Sequence, residues 1–460
     1  MMQLKGSNRV FVKEKVIYLS IMKIFYKLPV LFLLIIPVSL SAQKSWSLEE
    51  CIKYAWDNNL TVKQKEISVY QSKNNVLQSK MDYIPSVNAS LSHSMNWGRS
   101  VNMQDLEIIE NKLSQSTSAS LNASIEIFEG FKKTNTVKSK QVLQEMSELE
   151  VSRIKNQLAL QISKGYLEVM LSKEILQTAK QNLVSIEEQV ARTGKLVDAG
   201  SVAYSSLLEM KSQLAAEKVQ VVSAQNQVRA ALLNLKQLLD LSNDTNFEIE
   251  TPDLGVMVSE FHGEPVDNLY SQSKDLPEIK SAALNFRNSQ LQLSIAKGSS
   301  YPSVSFSAGY GTYYSDQREE LIMDQFNDNR NPSVTFGLRI PIFNNWQTNT
   351  SIRNARLGVR SAEIDVRTAE QTLYKEIQQA NNDALAYFEK YKAGIDNVKS
   401  MEESFRYVQQ KFEIGILNAT DYTVAKTNLF KAMSELSQAK YQFVFQLKVL
   451  DYYKGLPITL

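Results

Sequence analysis

Residues 86–97 read SVNASLSHSMNW, with Val87, Ala89, Leu91, Met95 and Trp97 on one face and Ser86, Asn88, Ser90, Ser92, Ser94 and Asn96 on the other. Period two is the signature of a strand. The pattern returns at 116–128, where Thr117, Ala119, Leu121, Ala123, Ile125 and Ile127 oppose Ser116, Ser118, Ser120, Asn122, Ser124 and Glu126. It returns twice more in the second half. Val304, Phe306, Ala308, Tyr310 and Tyr314 face away from Ser303, Ser305, Ser307, Gly309 and Gly311, and Val334, Phe336, Leu338, Ile340 and Ile342 face away from Ser333, Thr335, Gly337, Arg339 and Pro341. Four strands are expected, at about 86–97, 116–128, 303–314 and 333–343.

A soluble sandwich uses half-buried strands too. Here each segment has the length a tilted strand needs to cross a bilayer, about ten residues. The polar faces are nearly all Ser, Asn, Thr and Gly, which suits a wet lumen better than an ordinary Lys- and Glu-rich surface. Long polar loops are expected at 98–112 and 315–331, as between the strands of outer-membrane barrels. Four strands leave two unpaired edges, and lipid does not tolerate them. Subunits are therefore expected to share one barrel.

Between the strand pairs the rhythm becomes helical. From 131 to 193 there is a single turn-free run with apolar steps of three and four, such as Leu176, Ala179, Leu183, Ile186 and Val190. That run of 63 residues (193 − 131 + 1) makes a helix of roughly 95 Å at about 1.5 Å per residue. Residues 346–414 give slightly more, and both helices exceed a bilayer about threefold. Heptad seams follow each, from Leu207 through Met210, Leu214 and Val221 to Leu238, and from Tyr422 through Ala425, Leu429 and Ala432 to Tyr453. Shorter helices are expected at 48–58, 62–83, 266–274 and 278–299.

The halves say the same thing twice. Tyr83-Ile84-Pro85-Ser86-Val87 is matched by Ser300-Tyr301-Pro302-Ser303-Val304 (302 − 85 = 217). Ile127-Phe128 is matched by Ile342-Phe343 (343 − 128 = 215), and Gly200-Ser201-Val202 by Gly415-Ile416-Leu417 (415 − 200 = 215). The period is too long for a solenoid and marks a duplicated half-molecule. The repeats are placed at 43–241 and 265–460, with a linker at 242–264 that carries Pro252.

Lys23 and Lys27 precede an apolar run from Leu28 to Leu40 and then Ser-Ala-Gln-Lys, the form of a secretory signal covering 1–42, with Met22 as a possible true start. The alternative is a single membrane anchor, for which the run is short. Removing 1–42 takes away six basic groups and Glu14, so the net charge falls from +2 to −3 (2 − 5) and no nucleic-acid partner is implied. One cysteine, Cys51, excludes a disulfide framework, and it reads as a small buried residue. The two histidines are far apart, and His93 reads as a rim residue rather than a metal ligand. No triad, HExxH, P-loop or dinucleotide fingerprint is present, so neither an enzyme nor a cofactor is expected. Trp97, Tyr313 and Tyr314 at the strand ends read as an aromatic girdle or as strand fillers.

Short helix, helix, Pro, strand, strand, long helix, Gly turn and long helix, duplicated behind a signal, resemble the TolC-like outer-membrane efflux proteins. Ser47-Leu48-Glu49-Glu50-Cys51-Ile52-Lys53-Tyr54-Ala55 is similar to the family's opening helix, Leu276-Pro277-Glu278-Ile279 to the start of its second copy, and Pro341-Ile342-Phe343 to its strand–helix junction. The resemblance implies a mainly α fold with membrane β: a homotrimer giving four strands each to one 12-stranded barrel in outer-membrane lipid, continued by a helical coiled-coil barrel across the periplasm. Pro85, Pro302 and Pro341 then mark strand–helix junctions. It implies adaptor docking at the tips around Gly200 and Gly415, where Lys411 and Phe412 stand in the tip motif, and an inner-membrane pump of RND or ABC type behind the adaptor. It also implies an entrance constriction. Asp421 matches the first of two aspartates there; Val424 stands at the second, Leu417 at a gate arginine, and Ser205 and Ser206 where Thr-Asp would be. An electrostatic latch is not carried over. Asp421 is alternatively a helix-start carboxylate satisfying free amides. A periplasmic coiled-coil adaptor or scaffold is the rival reading, against which the duplication and the four Ser-rich strands stand.

Overall fold

The computed structural model describes residues 45–101, 108–242, 247–254 and 260–460; the expected signal at 1–42 and parts of the expected linker and first loop lie outside them. The described residues begin with β1 (Ser45–Trp46), α1 (Leu48–Asn58) and α2 (Leu60–Met81). Ser47 and Glu50 cap α1 reciprocally, and the Asn59 side chain accepts from the amides of Thr61 and Val62, which starts α2 two residues before the apolar rhythm suggests. Then come β2 (Ser86–Val101), β3 (Ile108–Glu129), α3 (Lys132–Asp198) and α4 (Tyr204–Leu238). The second half repeats the order: α5 (Val266–Gln272), α6 (Pro277–Gly298), β5 (Ser303–Ser315), a short α7 (Ile322–Asp328), β6 (Asn331–Arg339), α8 (Gln347–Glu413) and α9 (Ala419–Tyr453).

The two halves match element by element. Helices α2 and α6 both have 22 residues (277 − 60 = 217), α3 and α8 both 67 (347 − 132 = 215), and α4 and α9 both 35 (419 − 204 = 215). Left-handed backbone recurs at Gly130 and Asn345, Phe131 and Trp346, Gly200 and Gly415, and Asp240 and Gly455, each pair 215 apart (345 − 130 = 215). The hairpins are in the same register: Ser86 pairs with Ser124, and Ser303 with Arg339 (303 − 86 = 217; 339 − 124 = 215). The offset thus changes by two residues beyond these pairs, inside the hairpins, where a loop absorbs a length change cheaply.

One antiparallel sheet carries the four strands in the order β2-β3-β5-β6. Serines face each other across β2 and β3, Ser90 to Ser120 and Ser92 to Ser118 at 2.7 Å each. On the other face Val87, Leu91, Trp97, Val334, Phe336 and Leu338 are exposed, and none belongs to a hydrophobic cluster among the described residues. Three details differ from the sequence-based expectation. The first hairpin stays in strand through Val101 and resumes at Ile108, although 98–112 was expected as loop. The second loop folds α7, whose Gln325 is buried and accepts from the Ser315 amide at 2.9 Å. Strand β6 stops at Arg339, not at 343. The equivalent stretch of β3 continues to Glu129 because it pairs with β5, Phe128 with Val304 and Glu129 with Ser303; β6 has no neighbour on that side, and Pro341 has no amide to give.

The main core gathers residues of α1, α3, α4, α9 and the segment 247–254. Leu48, Cys51, Ile162, Tyr166 and Leu235 bury there together with Phe247, Ile249 and Leu254. Those last three belong to the expected linker, which supplies β4 (Glu248–Ile249) as a parallel partner for β1. The Tyr166 hydroxyl lies 2.7 Å from the Glu250 carbonyl and 3.0 Å from that of Trp46, tying the little sheet to α3. Burial pushes the Cys51 thiol up to about 12, as an inert core cysteine requires. A second cluster gathers Leu269, Leu373, Ile377 and Leu450. Among the described residues no helix is long and apolar enough to cross a membrane.

Candidate functional site

The residues expected at the entrance sit where α3 turns into α4 and where α8 turns into α9. Both turns are built alike. The Gly200 amide bonds the Val197 carbonyl and the Ser201 amide that of Leu196, both at 2.9 Å; Gly415 bonds Phe412 at 3.0 Å and Ile416 bonds Lys411 at 2.9 Å. These are Schellman caps, and φ of 72° at Gly200 and 77° at Gly415 explains the glycines. A methyl group at either position would meet nothing within 4 Å.

The turns differ in how the next helix starts. Ala203 precedes α4 without a side-chain cap, so Ser205 and Ser206 stand in an uncapped first turn, Ser205 exposed and Ser206 half-buried. Asn418 caps α9, its Oδ1 accepting from the Asp421 amide at 2.8 Å. The capping task considered for Asp421 is therefore performed by Asn418. Asp421 is exposed and its carboxylate has no partner among the described residues. Val424 is exposed, Leu417 half-buried and Lys411 exposed.

Phe412 is not a free tip aromatic. Its ring lies 5.0 Å from that of Tyr422, and Phe405 stands 5.3 Å from Tyr422 on another side. Tyr422 is buried with Ile186, Met210 and Ala419, so one cluster binds all four long helices at this end. Burial raises the Tyr422 hydroxyl above its ordinary range. Two contacts escaped the sequence reading. Arg192 of α3 reaches Glu413 of α8 at 3.0 Å, joining the two hairpins with an ion pair half open to solvent. Lys426 of α9 is only 4 % exposed; its Nζ donates to the Asn182 carbonyl of α3 at 3.3 Å, lies 6.0 Å from the Tyr422 ring, and burial pushes it down to about 8. The seam offered a signal, since Lys426 follows Tyr422 by four residues on the buried stripe.

Elsewhere, His93 stays within the sheet, its Nδ1 2.9 Å from the Thr117 hydroxyl. Among the described residues no group of three or more His, Cys, Asp or Glu side chains could hold a metal ion.

The sequence model of the family described as outer membrane efflux protein matches residues 51–240 and 270–452. The chain belongs to this family. It is an outer membrane efflux protein, and the resemblance read from its motifs holds. Curated relatives include the outer membrane protein TolC of Escherichia coli, 20 % identical over 72 % of this chain and 68 % of that protein. TolC of Vibrio cholerae is 19 % identical over 63 % of this chain and 66 % of its own length, so the match spans about two thirds of these relatives. Among solved structures, the Campylobacter jejuni outer membrane channel CmeC is 18 % identical with a TM-score of 0.74 over 89 % of this chain and 85 % of that one. VceC of Vibrio cholerae scores 0.73 at 16 % identity, covering 89 % and 96 %. At such identities these structures speak for the fold alone.

Proposed function

We propose that this efflux protein works as a homotrimer: three copies give four strands each to one 12-stranded outer-membrane barrel, and their long helices continue it as a tunnel across the periplasm. The observation that carries this is the sheet, apolar and bare on one face and unpaired along both β2 and β6. Lipid satisfies neither edge, and closure with copies of itself satisfies both. Helices of 67 residues reach roughly 100 Å beyond the barrel. Their tips at Gly200 and Gly415, with Lys411 exposed beside them, meet a periplasmic adaptor bound to an inner-membrane pump of RND or ABC type. The relatives' names include both an alkaline protease secretion protein of Pseudomonas aeruginosa and a toluene efflux pump outer membrane protein of Pseudomonas putida, so the cargo is either a secreted protein or a small compound.

Native mass of the detergent-extracted protein is expected at three chains, and the gene's deletion is expected to sensitise cells to an exported compound or block a secreted protein. A stable monomer, or fractionation with soluble periplasm, refutes the reading. At the entrance, Asp421 of three copies forms a ring of carboxylates that favours cations. Asp421→Asn is expected to lower cation preference in single-channel recordings modestly, since Val424 adds no second ring; unchanged selectivity removes Asp421 from the pore. A bulky residue at Gly415 meets open space in the chain, so it is expected to impair export while leaving barrel insertion intact. Loss of insertion would place the tip at the wrong end of the molecule.

A further inference from the structure

The duplication makes one contact inside the chain a template for a contact the chain lacks. Strand β3 pairs with β5, and α3 packs against α6. Carrying each element to its counterpart turns β3 into β6 and α3 into α8, and turns β5 and α6 into β2 and α2. In the chain, however, β6 and β2 are the two open edges.

The counterpart residues show the vacancy directly. Val142 on α3 is 2 % exposed, whereas its equivalent on α8, Leu357 (142 + 215), is 64 % exposed. Leu149 of α3 and Leu284 of α6 line one cleft; their equivalents Ile364 (149 + 215) and Ile67 (284 − 217) are 59 % and 58 % exposed. Buried Ser139 bonds Asn288 at 2.7 Å and Gln292 at 2.9 Å. The same three places hold Asn354 (139 + 215), Gln71 (288 − 217) and Asn75 (292 − 217), all able to bond one another. The bare positions thus match one another in chemistry.

We infer that a second copy of this chain covers them in one fixed register, β6 against the partner's β2 and α8 against the partner's α2, with Asn354 between the partner's Gln71 and the partner's Asn75. This rests on the trimer proposed above and adds its residue pairs. Ser118 pairs with Tyr313 and Ser120 with Gly311, so Ser333 (118 + 215) opposes the partner's Asn96 (313 − 217) and Thr335 (120 + 215) the partner's Ser94 (311 − 217). A slip of one residue would turn the serine face outward, so the pattern excludes it, and the helix contacts at Asn354 hold the register against a slip of two. The new edge also gives residues beyond Arg339 the neighbour that β3 already has beyond Ser124.

Paired cysteines test this in the full-length protein extracted from membranes, with native mass measured on the same samples. Thr335→Cys with Ser94→Cys is expected to yield covalently linked trimers under mild oxidation, and Thr335→Cys with Asn96→Cys at least tenfold less. A helix pair, Asn354→Cys with Gln71→Cys, is expected to link as well and guards against damage to the sheet. A trimer that links only through the slipped pair overturns the register and leaves the proposed function standing. A monomer by native mass with no linking in any pair overturns both.

Discussion

Gly130→Ala is expected to weaken the protein severely, while the same change at Gly200 or Gly415 costs only the strain of the left-handed backbone. All three glycines adopt left-handed backbone, at φ 58°, 72° and 77°. That conformation alone costs a side chain about 1–2 kcal/mol. The surroundings decide the rest. A Cβ at Gly130 would stand 2.2 Å from the Gly298 carbonyl oxygen and 2.9 Å from the Tyr301 Cβ, backbone and chain root that cannot swing aside. Overlap of this kind adds to the conformational cost, for a total of roughly 2–6 kcal/mol. The second copy supplies the control. Asn345 already carries a side chain in the left-handed region at the equivalent place, so Asn345→Gly is expected to change little. Melting of the helical signal in detergent measures all four variants. A Gly130→Ala protein as stable as Gly415→Ala would show that the strand–helix junction is looser than its packing indicates.

What periodicity determines, the sequence displayed: the four strands, the two 67-residue helices to within a few residues, and the glycine turns. These depend on local rhythm and on backbone conformations that only some residues adopt. What depends on distant neighbours was hidden. The end of β6 is set by the lack of a strand beside it and by Pro341, and of these only the proline shows in 340–343, where Ile340 and Ile342 keep the alternation. The strand at Glu248–Ile249 is two residues long, too short for any pattern, and exists because Ser45–Trp46 comes alongside. At the proposed entrance, Asp421 was legible as a carboxylate near a turn, but the competition with Asn418 for the free amide was not. Leu417 was legible at the place where the resemblance puts an arginine, but the ion pair of Arg192 with Glu413, across the two repeats, was not, since spacing along the chain gives no hint of it.

Lys426→Met is expected to stabilise the protein at neutral pH and to flatten its response to alkali. Lys426 is buried between α9, α3 and α4, with the Asn182 carbonyl, the Tyr422 ring and the attraction of Glu217 as compensation. These do not replace bulk water, so desolvation pushes the ammonium from its ordinary value of 10.5 to about 8. A folded value below the unfolded one means that the unfolded chain binds more protons between those limits. Stability of the natural protein therefore rises as pH climbs from about 8 to 10.5 and is flat below 8, where the full penalty applies. A depression of this size corresponds to roughly 3 kcal/mol, which methionine, of similar length and without charge, is expected to recover in good part. Heat-unfolding curves at pH 7 and pH 10 decide the matter: the natural protein should gain stability between them from this group, and Lys426→Met should start higher and gain less. Equal gains in both proteins would mean that Lys426 keeps its ordinary affinity for the proton and that water reaches the cluster joining the four helices.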